Sequence, residues 1–320
     1  MLGERLRPSA RQYVRLVQIS LFALSAIIVT GAAVRLTGSG LGCSDWPTCE
    51  QGEFVAEVEF HAMVEFVNRL ITGLVSAAVA VAVLGSLRRR PRRRDLIAWS
   101  WSLVVGVVVQ IVVGALVTLS ELRYSVVALH FLISMVLVWA AMVLWKRSTD
   151  PEIDLGDGTA VLASRRVWSA EGKALAVLGA LVLFSGAMVT SAGAHTGARE
   201  GHDNTPIYIE RLPIALRPLV QTHSILVWLL CATTLVCVYR AAKRRVASNE
   251  ARELLVAVVA QGALGYVQYF SDVPALLVGF HVAGATIVWI LALRLAFANA
   301  EVVAAAPTGT VAEHSVSTAS

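Results

Sequence analysis

Eight apolar runs dominate this 320-residue sequence, at 13–35, 61–87, 96–119, 124–145, 173–193, 215–239, 252–270 and 274–297. About 20 apolar residues, rising 1.5 Å each, cross the hydrocarbon core of a bilayer as one helix. Strands of a membrane barrel would be about half as long and would alternate apolar with polar residues. These runs do not alternate. Only 15% of the residues are charged, against about 25% in soluble domains. The sequence therefore predicts an all-α polytopic membrane protein of eight transmembrane helices. No small-residue cleavage site follows the first run, and more runs come after it, so it reads as a span and not a removable leader.

Positive charge sets the expected orientation. Arg5, Arg7, Arg11 and Arg15 precede the first run, and RRRPRRR (88–94) follows the second. Lys146, Arg147, Arg165 and Arg166 follow the fourth, and Arg240, Lys243, Arg244 and Arg245 the sixth. Residues 36–60 hold no Lys or Arg but carry Asp45, Glu50, Glu53, Glu57 and Glu59. Both termini are expected in the cytoplasm and the 36–60 segment outside it. The net charge of +5 lies in these short clusters, which points to the bilayer and not to nucleic acid.

The outer segment contains TGSGLGCSDWPTC (37–49). Outside the cytoplasm, thiols oxidise and disulfides persist. A zinc site wants four ligands, and covalent heme attachment wants C-x-x-C-H, which is absent. A Cys43–Cys49 disulfide is expected, either as a staple or as a redox-active pair. Cys231 and Cys237 lie inside a span and read as packing residues.

The two halves resemble each other. GAAV (31–34) and GAMV (186–189) end the first and fifth runs, and QIVVGALV (110–117) and QGALGYVQ (261–268) lie in the third and seventh. Both halves begin on the same side, which predicts two four-helix bundles related by a pseudo-twofold axis along the membrane normal. The expected division is 1–147, a polar cytoplasmic linker at 148–172, 173–299, and a disordered tail at 300–320. His130 follows Gly114 by 16 residues, as His281 follows Gly265, and His223 follows Gly186 by 37, as Asn68 follows Gly31. Each half thus has two special positions at one depth. An ionisable group within a span is a functional signal. Imidazoles on two facing helices suit the two faces of a porphyrin iron, a requirement that His223 and His281 meet. His61, Glu65, Asn68 and Thr72 share one helix face, with Arg69 one turn from Glu65. That pair is either a plain intrahelical ion pair or a carboxylate set beside a heme-sized cavity, with Arg69 near heme propionates.

Together with EFVNR (65–69), ALH (128–130), QTH (221–223) and GFH (279–281), the outer motif resembles the heme A synthases, over nearly all of residues 12–297. The resemblance implies a bacterial cell-membrane oxidoreductase that converts a methyl group of heme O to the formyl group of heme A through a hydroxymethyl intermediate. It implies a heme b cofactor on His223 and His281, and a substrate heme O in the first half with His130 as an iron ligand. It implies Glu65 as the catalytic residue and Cys43 and Cys49 as the outer pair. It implies supply from a heme O synthase and delivery to cytochrome oxidase assembly components, and it leaves a homo-oligomer open.

One position departs from the family, which has His where this chain has Asn68. His61 lies seven residues earlier, about 10 Å outward along the helix. Either His61 supplies the second ligand or His130 holds the substrate heme alone. Two other readings of the paired histidines are a diheme b-type electron carrier and a heme-delivery protein without catalysis. The carrier would use two complete His pairs, and Asn68 argues against it. His195 and His202, in AGAHTGAREGHD (192–203), either guide heme at the outer face or are solvated, and His314 in the tail carries no expected role.

Overall fold

Within a bilayer, the backbone of a single span can satisfy its own polar groups only as a helix. In the computed structural model, each apolar run lies within one continuous α-helix or overlaps its ends by a residue or so. The structure describes residues 7–43, 45–49, 52–53, 55–56, 58–198, 208–243 and 249–304. The helices are α1 (Ala10–Leu36), α2 (Phe60–Arg88), α3 (Arg94–Leu119), α4 (Tyr124–Thr149), α5 (Ala170–Ala192), α6 (Leu216–Lys243), α7 (Asn249–Phe270) and α8 (Ala275–Ala298). Among the described residues, these eight are long and apolar enough to cross a membrane.

Several helices start where a side chain can satisfy the free N–H groups of the first turn. Ser9 Oγ accepts from Gln12 N while Gln12 Oε1 accepts from Ser9 N, a capping box that opens α1. Glu59 Oε2 accepts from the N–H groups of both His61 and Ala62 at 3.0 Å, placing a carboxylate on the positive end of α2.

The two halves pack alike. In the first, α1 and α3 each lie against α2 and α4, and in the second, α5 and α7 each lie against α6 and α8. Helices α2 and α4 therefore stand diagonally across one ring, and α6 and α8 across the other. The halves meet through α1–α8, α4–α5 and α4–α8. Trp289 on α8 closes that seam, its Nε1 donating to Met135 O on α4 at 3.0 Å. Each half has its own core, around Val17, Leu96 and Leu103 in one and Leu175, Leu230 and Leu254 in the other. Phe22, Leu74, Val105 and Val256 point outward, as side chains solvated by lipid do.

The α3–α4 and α7–α8 turns are the same device. Glu121 and Leu122 have φ of 52° and 59°, and Asp272 and Val273 have 57° and 56°. Leu122 N donates to Val117 O and Val273 N to Gln268 O, both at 2.9 Å. Left-handed backbone at consecutive non-glycine residues costs roughly 1–2 kcal/mol each, yet both halves keep it at matching positions.

The linker and the first residues of the tail contain short strands. Within 148–172, β1 (Glu152–Asp154) and β2 (Ala160–Leu162) form an antiparallel hairpin. Strand β3 (Ser164–Val167) pairs antiparallel with β4 (Glu301–Ala304), so residues 301–304 of the expected disordered tail are a strand. Residues 305–320, His314 among them, lie outside the described residues. Part of the arginine run is also buried. Arg89 forks onto both oxygens of Glu152 at 2.7 Å, and Arg93 pairs with Asp95 at 2.7 Å. A buried guanidinium needs such a bidentate partner, and the hairpin supplies one.

Candidate functional site

The two histidines of the second half meet across the α6/α8 diagonal. Two imidazole nitrogens bound to one metal at about 2 Å each would set their ring centroids about 6 Å apart. The rings of His223 and His281 stand 6.4 Å apart with planes 63° from parallel. Ser185 Oγ on α5 lies 3.0 Å from His223 Nδ1, which leaves Nε2 as the ligating nitrogen. Gly186 and Gly265 back the rings: a Cβ there would sit 3.2 Å from His223 Cε1 and 3.1 Å from His281 Cε1. Gln261 Nε2 on α7 donates to His281 O at 2.7 Å, fixing the backbone that carries the imidazole. Among the described residues no three His, Cys, Asp or Glu side chains gather as a metal cluster. A porphyrin iron brings four of its own nitrogens and asks the protein for only one or two, so this donor set fits a heme.

The first half repeats the arrangement with one change. Gln110 Nε2 donates to His130 O at 3.0 Å, and a Cβ on Gly114 would sit 3.4 Å from His130 Cε1. The Nδ1 atoms of His130 and His281 are both buried with no hydrogen-bond partner among the described residues. Facing α4 across the diagonal, α2 carries Asn68, whose Oδ1 accepts from Thr30 Oγ1 at 2.8 Å. Thr30 and Asn68 are the counterparts of Ser185 and His223, each 155 residues earlier.

Glu65 lies one turn from Asn68 toward the loop between α1 and α2 and is 6% exposed. Its Oε2 accepts from Cys43 N at 2.9 Å, and its Oε1 pairs with Arg69 Nη2 at 2.6 Å. Arg69 Nη1 donates to Asp45 O and Thr48 O, both at 2.9 Å. The intrahelical ion pair thus grips the loop closed by the Cys43–Cys49 disulfide, which the structure contains. His61 is exposed, and its Nδ1 lies 2.8 Å from the buried Ser39 Oγ. The shared face of α2 looks toward α1 and the loop.

His195 is half-buried and tied to its neighbours by hydrogen bonds. Its Nε2 donates to Val273 O at 2.8 Å, and its own carbonyl accepts from Arg35 Nε at 2.9 Å. His202 lies outside the described residues. Cys231 and Cys237 are buried free thiols, in line with packing. Thr30, Ser185, Gln110 and Gln261 escaped the sequence reading as holders of the site. Their signal was there: Thr30 and Ser185 directly precede the repeat glycines, and the glutamines belong to the repeat itself.

Fold and site define a class, a multi-pass helical membrane protein with imidazoles set across the diagonals of four-helix rings. Residues 14–293 match the family described as cytochrome oxidase assembly protein, COX15-CtaA, and the chain belongs to that family. It is 27% identical over 164 residues to the heme A synthase of Lysinibacillus sphaericus (strain C3-41), covering 51% of this chain and 53% of that protein. It is 34% identical to the heme A synthase of Geobacillus thermodenitrificans over 32% of each chain. It is 24% identical to that of an Exiguobacterium species (strain ATCC BAA-1283 / AT1b) over 68% of this chain and 69% of that one. The chain thus spans about half the length of the Lysinibacillus relative, 53%.

Proposed function

We propose that the protein is a heme A synthase of a bacterial cell membrane, oxidising a methyl group of heme O to a formyl group. The observation that carries this is an asymmetry within a repeat. The second half has a complete imidazole pair, whereas the first has one histidine at these positions and, one turn from the Asn68 that stands in for its partner, a buried carboxylate with no counterpart among the described residues of the second half. A paired site suits a resident heme b, and the incomplete one a substrate heme O. The heme b supplies one-electron redox chemistry when bound. His223 and His281 hold it, and Ser185 and Gln261 orient them. His130 anchors the substrate heme, with Gln110 fixing its backbone.

Glu65 is the catalytic group. A carboxylate can accept about four hydrogen bonds, so the contacts from Cys43 N and Arg69 leave lone pairs to accept a proton released as the methyl group is oxidised. Arg69 pairs with that carboxylate and aims it. The charge pattern supports a disulfide loop outside the cytoplasm with both termini within it, and the matching helix contacts of the two rings support a pseudo-twofold relation between them. Heme O comes from a heme O synthase, and the product passes to cytochrome oxidase assembly. A diheme electron carrier fits less well, because Asn68 breaks one pair. Expression in cells that make heme O, followed by chromatography of the extracted hemes, tests the proposal. A formyl heme is expected, and recovery of heme B and heme O alone would refute it.

A further inference from the structure

We infer that the first-half site gives a bound heme iron one protein ligand, His130, and leaves the opposite iron face open to a small exogenous ligand such as water or a diatomic gas. The inference rests on the first half taking a heme, as proposed above, and concerns what Asn68 does there.

The second half shows what a closed site looks like in this fold. The Ser185 hydroxyl engages Nδ1 of His223, and the ring fills the space beside Gly186. At the matching place in the first half, the Thr30 hydroxyl donates to Oδ1 of Asn68 at 2.8 Å. That bond takes one of the two lone pairs of the amide oxygen and turns the oxygen toward α1. The amide nitrogen is a donor with no lone pair free for iron. The amide is also shorter than an imidazole: a Cβ on Gly31 meets nothing within 4 Å, where its counterpart on Gly186 would touch His223. The space the ring occupies in one half is open in the other.

No neighbour on α2 takes over. Met63 and His61 lie five and seven residues nearer the outer end, about 7 and 10 Å along the axis. His61 is exposed and tied to Ser39. Glu65 is engaged by Cys43 N and Arg69. A site with one imidazole is five-coordinate or carries an exchangeable sixth ligand, whereas two imidazoles make a low-spin iron that excludes carbon monoxide.

The test uses the full-length protein purified from heme O-producing cells. Carbon monoxide added to the reduced protein should titrate one heme per chain and spare the other. Electron paramagnetic resonance of the oxidised protein should show one high-spin and one low-spin iron. Asn68→His should abolish the carbon monoxide difference spectrum and convert the high-spin signal to low-spin. His130→Ala should remove the reactive heme and keep the low-spin one. Two low-spin hemes in the unmodified protein would overturn the inference, and recovery of carbon monoxide binding in His61→Ala would then name His61 as the second ligand. A single heme per chain, unaffected by His130→Ala, would overturn both this inference and the two-site reading beneath it.

Discussion

Glu65 holds a loop and is proposed to serve a reaction, and substitution separates the two roles. Gln keeps a carbonyl oxygen for Cys43 N but loses the charge that faces Arg69. If the carboxylate only clamps the loop, Glu65→Gln costs about 1–3 kcal/mol of stability and turnover per folded molecule stays normal. If it takes the proton, heme A yield per folded molecule falls about a hundredfold while the low-spin heme spectrum persists. The second result is expected, with heme O or its hydroxymethyl form accumulating. The histidines separate just as cleanly. His223→Ala or His281→Ala should remove or convert the low-spin spectrum, since each is proposed to supply one face of the same iron. Both variants keeping the wild-type spectrum would end the assignment of that pair.

At the scale of elements, the outer loop is fastened to α2 by the Glu65–Arg69 pair and closed on itself by the disulfide. Closing so short a loop stabilises it by about 2 kcal/mol in the chain-entropy model. A Cys43→Ser/Cys49→Ser double variant should therefore melt several degrees lower and still retain the low-spin heme. Loss of heme A formation at an unchanged melting temperature would instead make the pair redox-active. The helices themselves were legible because bilayer thickness fixes their length, and the histidine positions were legible because the repeat fixes their register. The partners were not. That Thr30 meets Asn68 and Gln261 meets the His281 carbonyl depends on which helix faces which, and an apolar pattern with lipid on one side and protein on the other does not encode that. Arg89 and Arg93 read as marks of sidedness, yet they are buried because Glu152 and Asp95 come to them. The strand at 301–304 was hidden because four residues, EVVA, beside an Ala/Ser/Thr-rich stretch are too few to carry a periodicity. It forms because β3 offers it an edge.

At the scale of the whole molecule, the two halves are locked on one face by polar contacts. Arg35 at the end of α1 donates to His195 O and to Thr190 O in the last turn of α5, a cation at the negative end of a helix. Gly40 N reaches Gly197 O at 2.9 Å, and His195 passes the contact on to the α7–α8 turn. This face also carries the disulfide loop, and the charge pattern leads us to expect it outside the cytoplasm. Thiol labelling tests that orientation with little background, because Cys43 and Cys49 are bonded and Cys231 and Cys237 are buried. Tyr208, 88% exposed between α5 and α6, lies on the face expected outside. Arg90, exposed between α2 and α3, lies on the opposite one. A membrane-impermeant maleimide applied to intact cells should label Tyr208→Cys and spare Arg90→Cys, and permeabilised cells should label both. The reverse pattern would invert the protein in the membrane. It would also place the disulfide in a reducing compartment where it could not persist, so one measurement tests the sidedness and the chemistry of the loop together.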